Sequence, residues 1–171
     1  MPYTGIVLAI LAAHAAGFLI LLGHWLVAAG MFPQATAALA GEYERRPVRA
    51  TLLGLFTYGP LFLLLLNAGK LGPLGVIALV AGVAALLVAF IGSAGLALRI
   101  GRNLSAGASL WEQCLRGGVM LALVFITPFL GWGFLLHLGL ASGFGAVLLA
   151  RPWRVKAVAL AAPETVPPAL P

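Results

Sequence analysis

Acidic side chains are scarce in this chain, which has 171 residues but no aspartate and four glutamates: Glu42, Glu44, Glu112 and Glu164. All four glutamates lie outside the long apolar stretches of the sequence. Carboxylates are frequent general acids, general bases and metal ligands, so their absence from these stretches argues against such chemistry there. We therefore expect a protein that is not an enzyme.

Cysteine is almost as scarce. Cys114 is the single cysteine, which rules out a disulfide within the chain and a CxxC site. It lies close to Arg116 at a predicted membrane surface, a setting that suits an ordinary interfacial cysteine, a mildly acidic thiol or a palmitoylation site. No basic residue precedes the first apolar stretch, so a cleavable signal peptide is not expected.

Charged residues of both signs make up 8% of the chain, whereas 63% of the residues are hydrophobic. Soluble domains average about a quarter charged residues, so this composition predicts an integral membrane protein. The net charge of +6 does not indicate nucleic-acid binding, because the basic residues flank apolar stretches and contact lipid headgroups there. The expected partners are membrane lipids and other integral membrane proteins, and not nucleic acid.

Nine of the ten basic residues fall in three islands: Arg45, Arg46 and Arg49; Arg99, Arg102 and Arg116; Arg151, Arg154 and Lys156. Short loops rich in Lys and Arg tend to stay on the cytoplasmic side of a membrane. The islands therefore predict a multi-pass protein of the bacterial inner membrane, with its N-terminus outside and its C-terminus inside. The residues expected to anchor it at the membrane surface are Trp111, Arg46, Arg49, Arg102, Arg116, Arg151 and Arg154.

The apolar stretches predict an all-α, polytopic bundle of membrane helices. Three long spans are expected at residues 3–31, 50–67 and 74–98, with a kink in the second at Pro60. Residues 34–46 have the pattern of an amphipathic helix that lies along the headgroups. One side of that helix carries Leu39, Tyr43 and Arg46.

A C-terminal helical hairpin is expected to follow the three spans. Residues 101–108 predict a loop, and Ser109 and Glu112 then match a capping box at a helix start. Residues 117–150 would be about 51 Å long as one helix, too long for one crossing. They predict two short helices, 117–127 and 133–150, joined near Pro128 and forming either two passes or a re-entrant pair.

The transmembrane helical domain is expected to cover residues 1–156. Residues 157–171 contain four prolines and no periodicity, which predicts an irregular cytoplasmic tail. Within the domain, small residues four positions apart let neighbouring helices approach closely. Two such pairs are predicted to be helix-packing sites: Ala78 with Gly82, and Gly139 with Gly143.

Histidines are the strongest candidates for ligands within the spans. His14 and His24 are ten residues apart on one helix, about 15 Å along its axis, so they cannot hold one metal ion together. His14 and His137 are better matched in depth, and a haem held between them is the alternative to two hydrogen-bonded histidines. We expect no cofactor.

The four tryptophans fit an aromatic belt at the membrane surfaces: Trp25, Trp111, Trp132 and Trp153.

Punctuation by proline and glycine gives the chain a resemblance to a known family. The matching segments are Phe32-Pro33, the Arg-Pro-Val-Arg run at 46–49, Leu53-Gly54-Leu55, the Ile-Thr-Pro-Phe-Leu-Gly run at 126–131, and the Gly-Phe-Gly-Ala run at 143–146. Together they resemble the membrane region of bacterial polymer-forming cytoskeletal (bactofilin-like) proteins, over residues 32–151. No part of this sequence matches the β-rich domain of that family. The resemblance therefore implies the membrane module alone, without a set of catalytic residues.

These observations predict a non-enzymatic structural or accessory membrane protein that packs against partner membrane proteins in a larger complex. A subunit of a respiratory or photosynthetic complex is one form that such a protein takes. The alternative is a small membrane redox carrier or transporter that uses His14 and His137.

Overall fold

The computed structural model describes residues 3–150, and this part of the chain contains six α-helices and no strand. The helices are α1 Tyr3–Met31, α2 Pro33–Arg45, α3 Pro47–Leu66, α4 Leu74–Leu104, α5 Leu110–Ile126 and α6 Leu136–Ala150. A short 3₁₀ helix, Ala68–Lys70, follows α3, and a π-helical turn, Gly131–Leu135, leads into α6. The predicted all-α bundle is confirmed. The predicted tail at residues 157–171 lies outside the described residues.

Four segments are long and apolar enough to cross a membrane: Thr4–Met31, Pro47–Leu66, Leu74–Leu104 and Gly131–Ala150. The chain is therefore a multi-pass membrane protein. Helix α5 has 17 residues and is about 26 Å long, somewhat less than the hydrocarbon thickness of about 30 Å. It forms the first arm of the predicted C-terminal hairpin.

Helix ends differ from the predicted ones at the start of α3 and at the end of α4. Pro47 begins α3 at a first-turn position that needs no N–H donor. Helix α4 continues to Leu104, so the loop predicted from residue 101 begins later. Gly101 is inside α4, where its backbone lies against the Gln113 carbonyl of α5. The predicted capping box of Ser109 and Glu112 is confirmed.

Glycine pairs bring the helix backbones of the bundle into direct contact. Gly54 of α3 faces Gly145 of α6, Gly92 of α4 faces Gly143 of α6, and Gly101 of α4 faces Gly117 of α5. A Cβ atom added at any of these six positions would lie closer than 3.0 Å to backbone of the neighbouring helix, a distance that real Cβ atoms essentially never show. Close approach through small residues is the usual way in which membrane helices pack.

Helix α2 forms as predicted, and its apolar face packs against the bundle. It buries Thr36, Leu39, Ala40 and Tyr43 against α4 and α6. Ser142 of α6 donates a hydrogen bond of 3.0 Å to the Tyr43 hydroxyl. Burial raises the pKa of Tyr43 well above its ordinary value, so the hydroxyl is neutral at physiological pH. Arg46, which was predicted on the same side as Leu39, is exposed.

The C-terminal half of α1 packs against α4 and α5 through Trp25, which is completely buried. Its indole nitrogen donates to the Ser93 hydroxyl at 2.8 Å, and that hydroxyl donates to the Phe90 carbonyl at 2.7 Å. Cys114 is also completely buried, with its sulfur 3.5 Å from the Trp25 carbonyl. Both side chains are therefore enclosed by helices and do not face lipid headgroups as predicted, and palmitoylation of Cys114 would require the core to open.

Candidate functional site

The turn between α5 and α6 differs from the rest of the fold in its backbone. Phe129 has a φ of +63°, which is rare for an aromatic residue, and its side chain is 92% exposed. Gly131 follows, packed against the carbonyls of Val124 and Phe125, and begins the π-helical turn. Such π-turns are frequent at functional sites, which makes this turn a candidate site.

Trp132 in this turn contacts both of the histidines that the sequence singles out. The His14 ring lies edge-on to the Trp132 indole, with ring centroids 6.1 Å apart. Nδ1 of His137 lies 3.1 Å from the Trp132 carbonyl, while the His137 ring packs edge-on against Phe62 of α3 at 5.0 Å. The two imidazoles therefore share Trp132 as a neighbour but pack against different rings.

Both imidazoles are hydrogen-bonded to backbone of their own segment. Nδ1 of His14 lies 2.7 Å from the Ile10 carbonyl, and a carbonyl can only accept, so in both histidines Nδ1 carries the proton. In the neutral form of either ring, Nε2 then carries the free lone pair. Histidines that ligate metals commonly show this arrangement, but no group of three or more His, Cys, Asp or Glu residues in the described range could hold a metal ion.

A pocket of about 270 Å³ lies beside His137, between α3 and the start of α6. Its walls are apolar apart from His137 and Tyr58, and they include Phe62, Phe134 and Gly59. Tyr58 is buried, stacks on Phe62 with centroids 5.6 Å apart, and its hydroxyl has no partner among the described residues. The pocket can take a small apolar molecule with one hydrogen-bonding group, which the polar lining residues Tyr58 and His137 would bind.

His24 is the third histidine and lies away from this pocket. Its ring packs edge-on against Phe90 of α4 with centroids 5.5 Å apart. Nε2 of His24 is buried without a hydrogen-bond partner among the described residues. The sequence gives no sign of this contact, because His24 is separated from Phe90 by two helices.

The predicted packing residues all face neighbouring helices. Gly82 lies against Leu65 of α3, Gly143 lies against α4, and Gly139 lies against the Phe125 ring of α5. Ala78 is buried, in the same row as Gly82.

The predicted anchors at the membrane surface are exposed where the structure describes them: Trp111, Arg46, Arg49 and Arg116. Arg102 forms an ion pair of 3.0 Å with Glu44. Arg151 and Arg154 lie outside the described residues.

One surface of α1 is a candidate site that the sequence reasoning missed. Five small residues follow each other at spacings of four, three, four and seven: Gly5, Ala9, Ala12, Ala16 and Gly23. This is the spacing of positions that share one face of a helix in a helix–helix seam. All five are exposed, and we call them the α1 small-residue row. The heptad spacing was the signal that would have found it.

The row lies on the side of α1 opposite to its contacts with the bundle. Leu21, Trp25 and Ala28, which are buried against the other helices, lie on the far side of the helix at 100° per residue. His14 packs on Trp132 and the Trp25 carbonyl contacts Cys114, so α1 runs antiparallel to α5. Residues 4–13, which are all exposed, therefore extend about 15 Å beyond the depth of Trp132.

Comparisons of the chain with protein-family models, with curated proteins and with solved structures found no match. The resemblance to the membrane region of bactofilin-like proteins stays a prediction.

Proposed function

We propose that this protein is a non-enzymatic accessory subunit that packs against partner integral membrane proteins of a larger complex. The observation that carries the proposal is the α1 small-residue row. Small residues at seam spacing allow another helix to approach the backbone closely, and this approach is a main source of helix association in membranes. The row is the surface through which a partner helix would bind.

The rest of the bundle shows how this chain uses such residues. The glycines of α3, α4 and α6 at the backbone contacts described above are covered by a neighbouring helix of the same chain. Gly5 and Gly23 of the row have nothing within 4 Å of an added Cβ. The large side chains Ile6, Val7 and Leu11 of the same segment lie roughly 90–170° around the helix axis from the row, at 100° per residue. From Gly5 to Ala16 the face of α1 that is left uncovered thus carries only small residues.

The subunit is proposed to belong to a respiratory or photosynthetic assembly of the bacterial inner membrane. The helices of this bundle touch through backbone, and such contacts hold them in fixed positions. A bundle with fixed helices is suited to packing against a large membrane complex. The proteins that copurify with the chain in mild detergent will identify the assembly.

Replacing Ala16 with leucine should reduce the recovery of partner membrane proteins severalfold, because the larger side chain holds a partner helix away from the row. The matched control is Ala15→Leu, an identical change at the neighbouring exposed position outside the row. The measurement is quantitative mass spectrometry of proteins that copurify with each variant from membranes. Equal partner recovery with the two variants would remove the row from the interface.

Orientation is proposed from the three basic islands, with the N-terminus outside and the islands inside. With Cys114 replaced by alanine, single cysteines at positions 45, 102 and 154 should all react with a membrane-impermeant reagent from the cytoplasmic side. The reason is that Lys and Arg in short loops are retained there. Labelling of position 154 from the outer side alone would show that residues 117–150 do not return, and the proposed topology would be abandoned.

A further inference from the structure

A second opening in the bundle lies between α5 and α6. The two helices both pack on α4, and they meet each other where Gly139 lies against the Phe125 ring. Towards the basic islands they diverge and leave a cleft of about 280 Å³. At the end near the turn between α5 and α6, its walls are apolar and include Leu121, Val124 and Leu135.

The opposite end of the cleft, nearer to the basic islands, is polar. Arg99 of α4 lines it and is half-buried, together with the hydrogen-bonded pair of Tyr43 and Ser142. Thr51 also lines this end, and its hydroxyl donates to the Pro47 carbonyl at 3.0 Å. The cleft therefore has one cationic end and one apolar end, arranged along the helix axes.

A basic depression adjoins the cleft at Pro47, which lines both. Arg45, Arg46 and Arg49 surround this depression. Within the described part of the chain the ion pair of Arg102 with Glu44 is the only one, so Arg99 and these three arginines have no carboxylate partner there. Four cationic side chains are thus grouped at the mouth of an apolar cleft.

We propose that the cleft between α5 and α6 binds one anionic phospholipid from the leaflet that faces the basic islands. An acyl chain lies between Val124 and Leu135, and the phosphate lies near Arg99 and the Arg45–Arg49 depression. Basic pockets between membrane helices are established binding sites for anionic headgroups, and guanidinium groups bind phosphate through paired hydrogen bonds. A bilayer lipid is favoured over free phosphate because the apolar end of the cleft needs a chain. This proposal does not depend on the proposed accessory role.

Native mass spectrometry of the purified chain tests the proposal with two lipids that have the same acyl chains. Dioleoyl phosphatidylglycerol is anionic and dioleoyl phosphatidylcholine is neutral overall. We expect one phosphatidylglycerol to be retained per chain under conditions that remove phosphatidylcholine. Inorganic phosphate added in excess should not displace the lipid. Equal retention of the two lipids, or displacement by phosphate, would overturn the proposal.

Variants of the cleft test its two ends separately. Arg99→Gln should weaken phosphatidylglycerol binding about fivefold, the effect of one cation close to an anionic surface, while Arg99→Lys should retain most of it. Arg116→Gln, at an exposed position that does not line the cleft, is the matched control. Val124→Trp should also weaken binding by filling the apolar end, whereas Leu123→Trp on the same helix should not.

The melting transition of each variant identifies those that fail to fold. If folded Val124→Trp binds phosphatidylglycerol as well as the unmodified protein, the acyl chain does not lie in the cleft and the proposal is wrong. If Arg99→Gln and Arg116→Gln weaken binding equally, the attraction is a general effect of surface charge, and the assigned site is again wrong.

Discussion

Replacing Gly54 with alanine should lower the free energy of unfolding by about 1–3 kcal/mol, as overpacking does in well-packed cores. The new methyl group would overlap the Ala141 carbonyl and lie 3.1 Å from the amide nitrogen of Gly145. Both obstacles are backbone of α6, which cannot rotate away as a side chain does, so α3 and α6 would have to separate. Thermal or SDS-induced unfolding of the detergent-solubilised protein measures the effect.

The matched control is Gly59→Ala on the same helix. An added Cβ at Gly59 has nothing within 4 Å, and alanine has the higher helix propensity by about 1 kcal/mol. The control variant should therefore be as stable as the unmodified protein, or slightly more stable. A similar loss of stability in both variants would mean that α3 and α6 are not in backbone contact at Gly54.

The glycine contacts show how far the sequence could lead. Spacing on α6 predicted that Gly139 and Gly143 pack against a helix, and both do. The partner could not be predicted, because the period of one helix says nothing about which of the other helices will face it. Gly139 meets an aromatic ring and Gly143 meets backbone, a difference that depends on where α4 and α5 lie.

Helix positions were easier to predict than the environments of single side chains. Apolar length and the proline at 128 were sufficient to place the break between α5 and α6, because a membrane helix must be about 20 residues long, but α5 begins at Leu110, seven residues before the predicted start. The sequence predicts Trp25 at the membrane surface because tryptophan near the end of a span is usually interfacial, and Cys114 because it lies close to Arg116. Both are buried by contacts between distant parts of the chain, and Trp25 and Ser93 are separated by 68 residues.

The candidate sites were predictable to different degrees. His14 and His137 could be selected from the sequence because polar side chains within spans are uncommon. The shared contact with Trp132 depends on the turn, whose shape follows from the positive φ of Phe129 and the close packing of Gly131. The cleft between α5 and α6 was not predictable, because it results from two helices that both pack on α4 and diverge from each other.

Replacing Trp25 with alanine should lower the free energy of unfolding by about 3–5 kcal/mol, as found for other fully buried large aromatics. The indole is completely buried, lies edge-on to Phe125 with centroids 6.1 Å apart, and covers Gly118. Its removal leaves a cavity at the point where α1, α4 and α5 meet. The substitution also removes the hydrogen bond from the Trp25 indole N–H to the Ser93 hydroxyl.

Two further variants separate packing from hydrogen bonding at this position. Trp25→Phe keeps most of the apolar contact and loses the bond to Ser93, whose hydroxyl still donates to the Phe90 carbonyl. It should therefore cost about 1 kcal/mol for the hydrogen bond, together with a smaller cavity than alanine leaves. Trp111→Ala is the matched control, because Trp111 is 49% exposed and a surface substitution changes stability by about 0.5 kcal/mol or less. All variants are compared by unfolding in the same detergent. If Trp25→Ala is no less stable than Trp111→Ala, the Trp25 side chain lies at the membrane surface, as its sequence position alone predicts, and α1 does not pack against α4 and α5 through it.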